Sequence, residues 1–138
     1  MELTFKIPTK KEFEQICEYI HEFELDDCDL SPHQFIIALN GNDKLLGFGR
    51  LRNHPDCTEL CSLGVVTQHR SQGIGKAIVS QLIKRAIGKL YLVCIIPEFF
   101  TPFGFTIVNH YPAPLLNKLN YCTHELVVPE IYVVMQLQ

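Results

Sequence analysis

The sequence predicts an α/β (α+β) domain in which a mixed, mostly antiparallel sheet is flanked by helices. Three consecutive apolar runs separated by polar turns indicate neighbouring antiparallel strands. A glycine-containing loop and an amphipathic helical stretch follow the third run directly. A short, wholly apolar strand then comes straight after that helix, as it does in a parallel crossover. At 138 residues, the chain suits a single domain, 1–138.

The N-terminal part begins with a short strand and a helix. Leu3 to Ile7 alternates apolar with polar residues and stops at Pro8, which predicts a strand. Thr9 is a suitable N-cap for the helix that follows. The apolar residues of that helix recur on one face: Phe13, Ile16, Cys17, Ile20 and Phe23. The acidic segment 26–32 then predicts a loop that either faces solvent or lines the entrance to a site for a cationic substrate.

Three strands come next. Phe35–Leu39 and Lys44–Leu51 are apolar runs joined by Asn40-Gly41-Asn42-Asp43, a turn whose residues tolerate positive φ, so they predict a β-hairpin. A second polar turn, 53–56, leads to a third run from Cys57 to Val66. The three runs therefore predict strands that lie side by side.

The spacing changes to that of a helix at Gly73, and Gly88 is a fitting stop. The helix face consists of Ile74, Ala77, Ile78, Leu82, Ile83 and Ala86. Tyr91 to Ile96 then predicts a buried strand, which makes the sheet mixed. Farther on, a helical segment is predicted at Pro112–Leu119 and a closing strand at Ile131–Leu137.

Composition excludes several classes of function. A net charge of −3 with no long basic run disfavours nucleic acid as a partner. No apolar run reaches the roughly 20 residues that span a bilayer, so no membrane segment is predicted. The N-terminus lacks the basic and apolar regions of a signal peptide. The six cysteines are therefore expected to be reduced thiols, and the protein is expected to be cytoplasmic.

The loop between Val66 and Ile78 carries the chemistry. Arg70, Gly73 and Gly75 precede a helix with no obvious side-chain cap, and bare N–H groups at a helix N-terminus form an anion site. Glycine lets a pyrophosphate approach the backbone closely. A glycine turn that merely starts a helix explains this one feature equally well. Two common phosphate-binding motifs do not fit this loop. The third glycine of the dinucleotide-binding fingerprint is missing, and the lysine-serine pair of a Walker motif does not follow.

Arg70-x-x-Gly73-x-Gly75 resembles the pyrophosphate motif Arg/Gln-x-x-Gly-x-Gly/Ala of the GNAT superfamily of acetyl-coenzyme A-dependent N-acetyltransferases, and it lies between a strand and a helix as in that family. The resemblance continues in Leu60–Val66, the strand that pairs with pantetheine, in Leu90–Ile96, its parallel neighbour, and in Phe99-Phe100-x-x-x-Gly104-Phe105. It covers most of the chain. The resemblance implies a sheet of about six to seven strands with a splay between the fourth and fifth.

The resemblance also implies a reaction, the direct transfer of an acetyl group from acetyl-CoA to a primary amine. Backbone groups of the fourth strand would bind the pantetheine arm, and the glycine loop would hold the pyrophosphate. The cofactor-binding residues implied in this way are Leu63, Gly64, Val65, Arg70, Ser71, Gln72, Gly73, Ile74, Gly75 and Lys76.

Glu59 lies where several members of the family carry a glutamate that acts as general base, so it is the predicted catalytic residue. A carboxylate inside an apolar strand, with Cys57 and Cys61 on its own face, holds a proton more tightly than one in water, which suits proton transfer near neutrality. The alternative is a strand-end carboxylate in water.

The general acid departs from the family pattern. Many members carry a tyrosine where this chain has Phe100, and phenylalanine cannot protonate a departing thiolate. Tyr91, Tyr111 and Tyr121 do not match the motif, so solvent is the remaining donor. Cys94 is expected to be a small buried residue and not an acyl carrier.

Other features leave the substrate open. No metal is predicted, because the spacing of Cys57 and Cys61 is wrong for structural zinc even with His54 nearby. The tract 112–122 faintly resembles amino-acid acetyltransferases of arginine biosynthesis, whereas the acidic stretch 22–29 suggests polyamines. A small-molecule amine is therefore predicted as acceptor. The alternatives are a protein lysine or N-terminal acetyltransferase and a non-catalytic CoA-binding module. A homodimer is plausible by resemblance.

Overall fold

The computed structural model describes residues 2–138. The chain forms two compact units. The first contains the residues up to Arg52 together with Leu60–Arg85, and the second contains Asn53–Glu59 with Ala86–Gln138. In the part of the chain that the structure describes, no helix combines the length and apolarity needed to cross a membrane. The expectation of one domain over 1–138 stays a prediction.

Residues 2–138 form seven strands and four α-helices. They are β1 (Thr4–Lys6), α1 (Lys10–Glu22), β2 (Phe35–Leu39), β3 (Leu45–Asn53), β4 (Thr58–Val65), α2 (Ile74–Arg85), β5 (Leu90–Cys94), α3 (Pro97–Phe100), β6 (Phe105–Ile107), α4 (Ala113–Glu125) and β7 (Val133–Leu137). The strands hydrogen-bond in the order β1-β2-β3-β4-β5-β7-β6. Among the strand pairs that the structure describes, β4 pairs in parallel with β5, whereas β1 with β2, β2 with β3, β5 with β7 and β6 with β7 are antiparallel. The predicted fold class is confirmed.

The first unit is built on α1 and an antiparallel meander. The Thr9 side chain accepts from the Glu12 N–H, and the Glu12 side chain accepts from the Thr9 N–H, so a capping box starts α1. Strand β2 pairs antiparallel with both β1 and β3. The apolar face of α1 packs on this meander, and the cluster consists of Ile16, Ile20, Phe35, Ile37, Leu39, Leu45 and Phe48.

Two glycines of β3 leave room for α2. A Cβ at Gly47 would lie 2.9 Å from the Gly64 carbonyl oxygen and 2.9 Å from Ile78 Cδ1. A Cβ at Gly49 would lie 2.6 Å from Leu82 Cδ1. Such distances are shorter than van der Waals contact, so the close approach of helix and strand depends on the missing side chains.

We expect Gly47→Ala to lower the free energy of unfolding by roughly 1–3 kcal/mol, because the added methyl group meets backbone that cannot rotate away. Urea unfolding of the two proteins measures the difference. The matched control is Gly41→Ala, where a Cβ would meet no atom within 4 Å. Equal stability of Gly47→Ala and the wild type would contradict this packing.

The second unit holds the start of β4 and three further strands. Thr58 and Glu59 pair in parallel with Leu90 and Tyr91. Strand β7 then pairs antiparallel with both β5 and β6. Helix α4 contributes to an apolar cluster that consists of Cys57, Tyr91, Leu115 and Val134, with Val93, Val108, Tyr111 and Leu119 against it. The splay between β4 and β5 that the resemblance implies stays a prediction.

Several elements of the second unit differ from the sequence expectations, among them β7, which begins at Val133 and not at Ile131. Strand β6 was not predicted, because it has only three residues, too few for their alternation to indicate a strand. Helix α4 continues beyond Leu119 to Glu125, since its last turns are polar apart from the buried Cys122. Strand β5 ends at Cys94 and not at Ile96, the residue before Pro97, whose φ of −127° and ψ of 61° are not those of a strand.

Candidate functional site

Strand β4 is kinked just before the residues predicted to bind the pantetheine arm. Ser62 has a φ of +48°, a left-handed conformation that is rare for a residue with a side chain. Its hydroxyl donates a hydrogen bond to the Asp26 carbonyl, with a distance of 2.7 Å between the oxygens. Leu63, Gly64 and Val65 follow as the last residues of the strand. The sequence offered no signal for this kink, because its hydrogen-bond partner lies in a loop far away in the chain.

The loop after β4 exposes the backbone N–H groups that start α2. Ser71 and Gly73 both have positive φ, of 65° and 80°. The Gly73 carbonyl accepts the first hydrogen bond of the helix, from Ala77 N at 3.1 Å. Gly73 therefore occupies the N-cap position with no side chain to bind the N–H groups of the first turn. Those groups point along the positive end of the helix dipole, a geometry suited to an anion.

The surroundings of Gly73 fit a pyrophosphate. A Cβ at this residue would meet no protein atom within 4 Å, so a ligand can approach the backbone from that side. Ile74 is buried and packs in the core, which leaves only its backbone for a ligand. Lys76 is exposed in the first turn. The ten predicted cofactor residues thus form two contiguous segments of the first unit, the end of β4 and the loop that leads into α2.

Arg70 has partners within the protein. Its Nε donates to the Val65 carbonyl at 3.0 Å. Its guanidinium carbon lies 4.8 Å from the centroid of the Phe23 ring, a cation–π contact. The arginine side chain of the motif is therefore attached to β4 and to the end of α1.

Glu59 is buried in the second unit, with 1% of its surface exposed. Its Oε1 lies 2.9 Å from His54 Nε2, and its Oε2 accepts a hydrogen bond from Lys118 Nζ at 2.5 Å. Each carboxylate oxygen therefore has a nitrogen partner, and Lys118 balances the buried charge. The sequence suggested either an apolar environment for Glu59 or exposure to water. The structure shows neither, because the carboxylate is buried and has two polar partners.

Sequence reasoning missed both partners of Glu59. His54 lies five residues earlier, in the turn before β4, and was considered only as a metal ligand. Lys118 comes from α4, 59 residues farther along the chain. Only His54 is close enough to Glu59 in the sequence for local spacing to have indicated the contact.

Cys57 is a neutral thiol beside this cluster. Burial raises the pKa of Cys57, and the negative charges of Glu59 and Asp56 raise it further. Its side chain packs in the apolar cluster with Tyr91. Cys57 therefore packs as a small apolar side chain.

The structure provides no acid at the position of the family's tyrosine. Phe100 is buried, with its ring centroid 4.9 Å from that of Phe99 and 5.8 Å from that of Phe105. Tyr91 and Tyr111 pack in the apolar cluster of the second unit, and Tyr121 is exposed. The phenyl group at position 100 is therefore part of the core.

Cys94 is also a neutral thiol. Burial raises the pKa of Cys94 and the charge of Glu98 adds to this, against a backbone hydrogen bond at Ile96 that lowers it. Its sulfur lies 3.7 Å from the Met135 sulfur. These surroundings suit packing better than nucleophilic attack.

The acidic loop is tied to β3. Arg52 Nη2 lies 2.8 Å from an Asp29 carboxylate oxygen. Arg50, with no exposed side-chain surface, donates to the Asp26 and Cys28 carbonyls, and its Nη1 lies 3.8 Å from Asp26 Oδ1. Two of the acidic residues therefore have arginine partners, which weakens the case for a site that attracts cationic substrates.

The chain was compared with known protein families and solved structures. The profile of the acetyltransferase (GNAT) family matches residues 3–105. Among solved structures, N-acetylglutamate synthase from Neisseria gonorrhoeae, complexed with coenzyme A and N-acetyl-glutamate, is similar with a TM-score of 0.74 and 17% identity, covering 99% of this chain and 35% of that one. This chain thus spans about a third of the length of that enzyme.

Two further structures match over nearly their whole length. Rv2747 from Mycobacterium tuberculosis, in complex with CoA and NLQ, has a TM-score of 0.73 and 18% identity, covering 97% of this chain and 98% of that one. Arabidopsis thaliana Naa50, in complex with the bisubstrate analogue CoA-Ac-MVNAL, has a TM-score of 0.66 and 16% identity, covering 100% and 99%. At these identities the likeness shows a shared fold.

Proposed function

Because the chain belongs to the acetyltransferase (GNAT) family, we propose that it transfers an acetyl group from acetyl-CoA to the primary amine of a small molecule. The observation that carries this proposal is the start of α2. A side-chain-free cap at Gly73, with open space beside it, presents helix N–H groups where the family motif holds a pyrophosphate.

The cofactor residues have distinct roles in this proposal. Backbone groups of Leu63, Gly64 and Val65 align the pantetheine arm, and the N–H groups of Ser71 to Lys76 hold the pyrophosphate. Lys76 adds a positive charge at the helix start. Acetyl-CoA supplies the thioester, whose carbonyl carbon receives the amine.

Glu59 accepts the proton of the substrate's ammonium group. The Lys118 ammonium and the His54 ring each bond one oxygen of this carboxylate, which holds it in one orientation for proton transfer. The departing thiolate takes its proton from solvent, since position 100 carries a phenyl ring. His54 and Lys118 are thereby proposed members of the catalytic centre.

The acceptor proposed is the amino group of an amino acid or a similar small amine. Support comes from the gonococcal enzyme, solved with N-acetyl-glutamate. A protein N-terminus is the second candidate, since Naa50 was solved with an analogue that carries the peptide MVNAL. A CoA-binding module without turnover is the third.

A thiol-release assay separates these candidates. The purified protein is mixed with acetyl-CoA and a panel of amino acids, polyamines and short peptides, and free CoA is measured with a thiol reagent. We expect release with at least one small amine. Release with peptides alone would favour the second candidate. Tight binding of acetyl-CoA without release across the panel would favour the module.

A further inference from the structure

Aromatic rings connect β4 to the end of α1. Phe48 of β3 lies against Gly64, where an added Cβ would come 2.6 Å from its ring. The Phe48 ring stacks with Tyr19 at 6.3 Å between centroids. Tyr19 stacks in turn with Phe23 at 5.5 Å and an interplanar angle of 28°. A continuous stack therefore runs from Gly64 to the C-cap residue of α1.

The stack returns to β4 through Arg70. The guanidinium of Arg70 covers the Phe23 ring at 4.8 Å, while its Nε donates to the Val65 carbonyl at 3.0 Å. The same peptide unit is held from its other side, because Val66 N donates to the Leu46 carbonyl at 2.8 Å. Since a peptide unit is planar, bonds to its oxygen and its nitrogen together fix its orientation.

We propose that Arg70 and Phe23 are positioning residues for the cofactor. Phe23 holds the planar guanidinium, and the guanidinium sets the direction of the Val65 carbonyl. Arg70 thus acts through β4, and the positive groups that face the pyrophosphate are the loop N–H groups and Lys76. This inference rests on the proposed function, in which the end of β4 and the loop bind acetyl-CoA.

The geometry explains why arginine suits this position. A flat, delocalised guanidinium stacks on an aromatic ring and still directs its Nε–H along one line, whereas a lysine ammonium has neither property. Arg70→Lys therefore keeps the charge and removes the positioning. Phe23→Leu keeps the apolar bulk and removes the aromatic face.

The first test needs no ligand. Hydrogen exchange is measured at the Val66 and His69 amides, which donate to the carbonyls of Leu46 and Val66. We expect both variants to speed exchange there by about tenfold, because a contact of this strength changes local opening by that factor. Arg85→Lys, at the exposed end of α2, is the matched control and leaves exchange unchanged. Wild-type exchange in both Arg70→Lys and Phe23→Leu would overturn the inference.

The second test uses two thioesters, acetyl-CoA and S-acetylpantetheine, which lacks the phosphates. We expect Arg70→Lys and Phe23→Leu to weaken binding of both by the same factor, about tenfold. Lys76→Ala, in contrast, weakens binding of acetyl-CoA alone. If Arg70→Lys weakens only acetyl-CoA, the guanidinium is a direct phosphate ligand and the inference is wrong.

The two tests distinguish failure of this inference from failure of the proposed function. A folded wild type that binds neither thioester overturns the proposed function together with the cofactor part of this inference. Tight binding by the wild type and by both positioning variants overturns the inference and leaves the proposed function intact. Thermal melts followed by circular dichroism establish that each variant is folded.

Discussion

Glu59→Gln will lower kcat by about 10²–10⁴-fold while leaving the affinity for acetyl-CoA near that of the wild type. The amide keeps the shape of the carboxylate but cannot accept the proton of an ammonium substrate. The measurement is steady-state thiol release with the best amine of the panel, beside calorimetric titration with acetyl-CoA. Activity of the variant should recover as the pH nears the pKa of the substrate's amine, because a free amine needs no base.

Folding must be separated from catalysis at this residue. Removing the charge of Glu59 breaks its buried ion pair with Lys118, which costs up to about 3 kcal/mol of stability. The double variant Glu59→Gln/Lys118→Met removes both charges of this ion pair and should fold, yet it should remain inactive. Glu125→Gln, an exposed carboxylate at the end of α4, is the control. A fully active Glu59→Gln would show that water, and not this carboxylate, removes the proton.

Replacing Gly73 with Ala will weaken acetyl-CoA binding by about tenfold to hundredfold. The new methyl group meets no protein atom, so it stands in the space that a pyrophosphate needs to reach the helix N–H groups. Gly75→Ala, alone and combined with Gly73→Ala, tests the second glycine of the motif. Isothermal titration with acetyl-CoA and CoA measures the loss.

A positive φ at Gly73 requires a control for backbone strain. Alanine at a φ of +80° costs roughly 1–2 kcal/mol whether or not a ligand binds there. Gly88, after α2, has a φ of +75° and likewise no atom within 4 Å of an added Cβ. Gly88→Ala should therefore lose similar stability and keep the affinity of the wild type. Equal affinity losses in both variants would attribute the effect to strain and count against a pyrophosphate site.

Local features of this chain were predictable from the sequence. Thr9 starts α1, the turn 40–43 joins β2 to β3, and the glycine loop precedes α2. Each of these depends on residues within a few positions of one another, through a capping side chain, a turn conformation or an apolar period. The family motif is local in the same sense, which is why the family was evident before any geometry was known.

Contacts between distant segments were decided by the tertiary structure alone. The sequence placed Glu59 on a strand, but the Lys118 ammonium on its oxygen comes from α4. Arg70 was predicted only as part of the cofactor-binding loop, and the fold sets its guanidinium against Phe23. The left-handed Ser62 depends on a carbonyl 36 residues earlier. Local propensity carries no information about such pairs, because they form only when packing of the apolar faces brings distant parts of the chain within hydrogen-bonding distance.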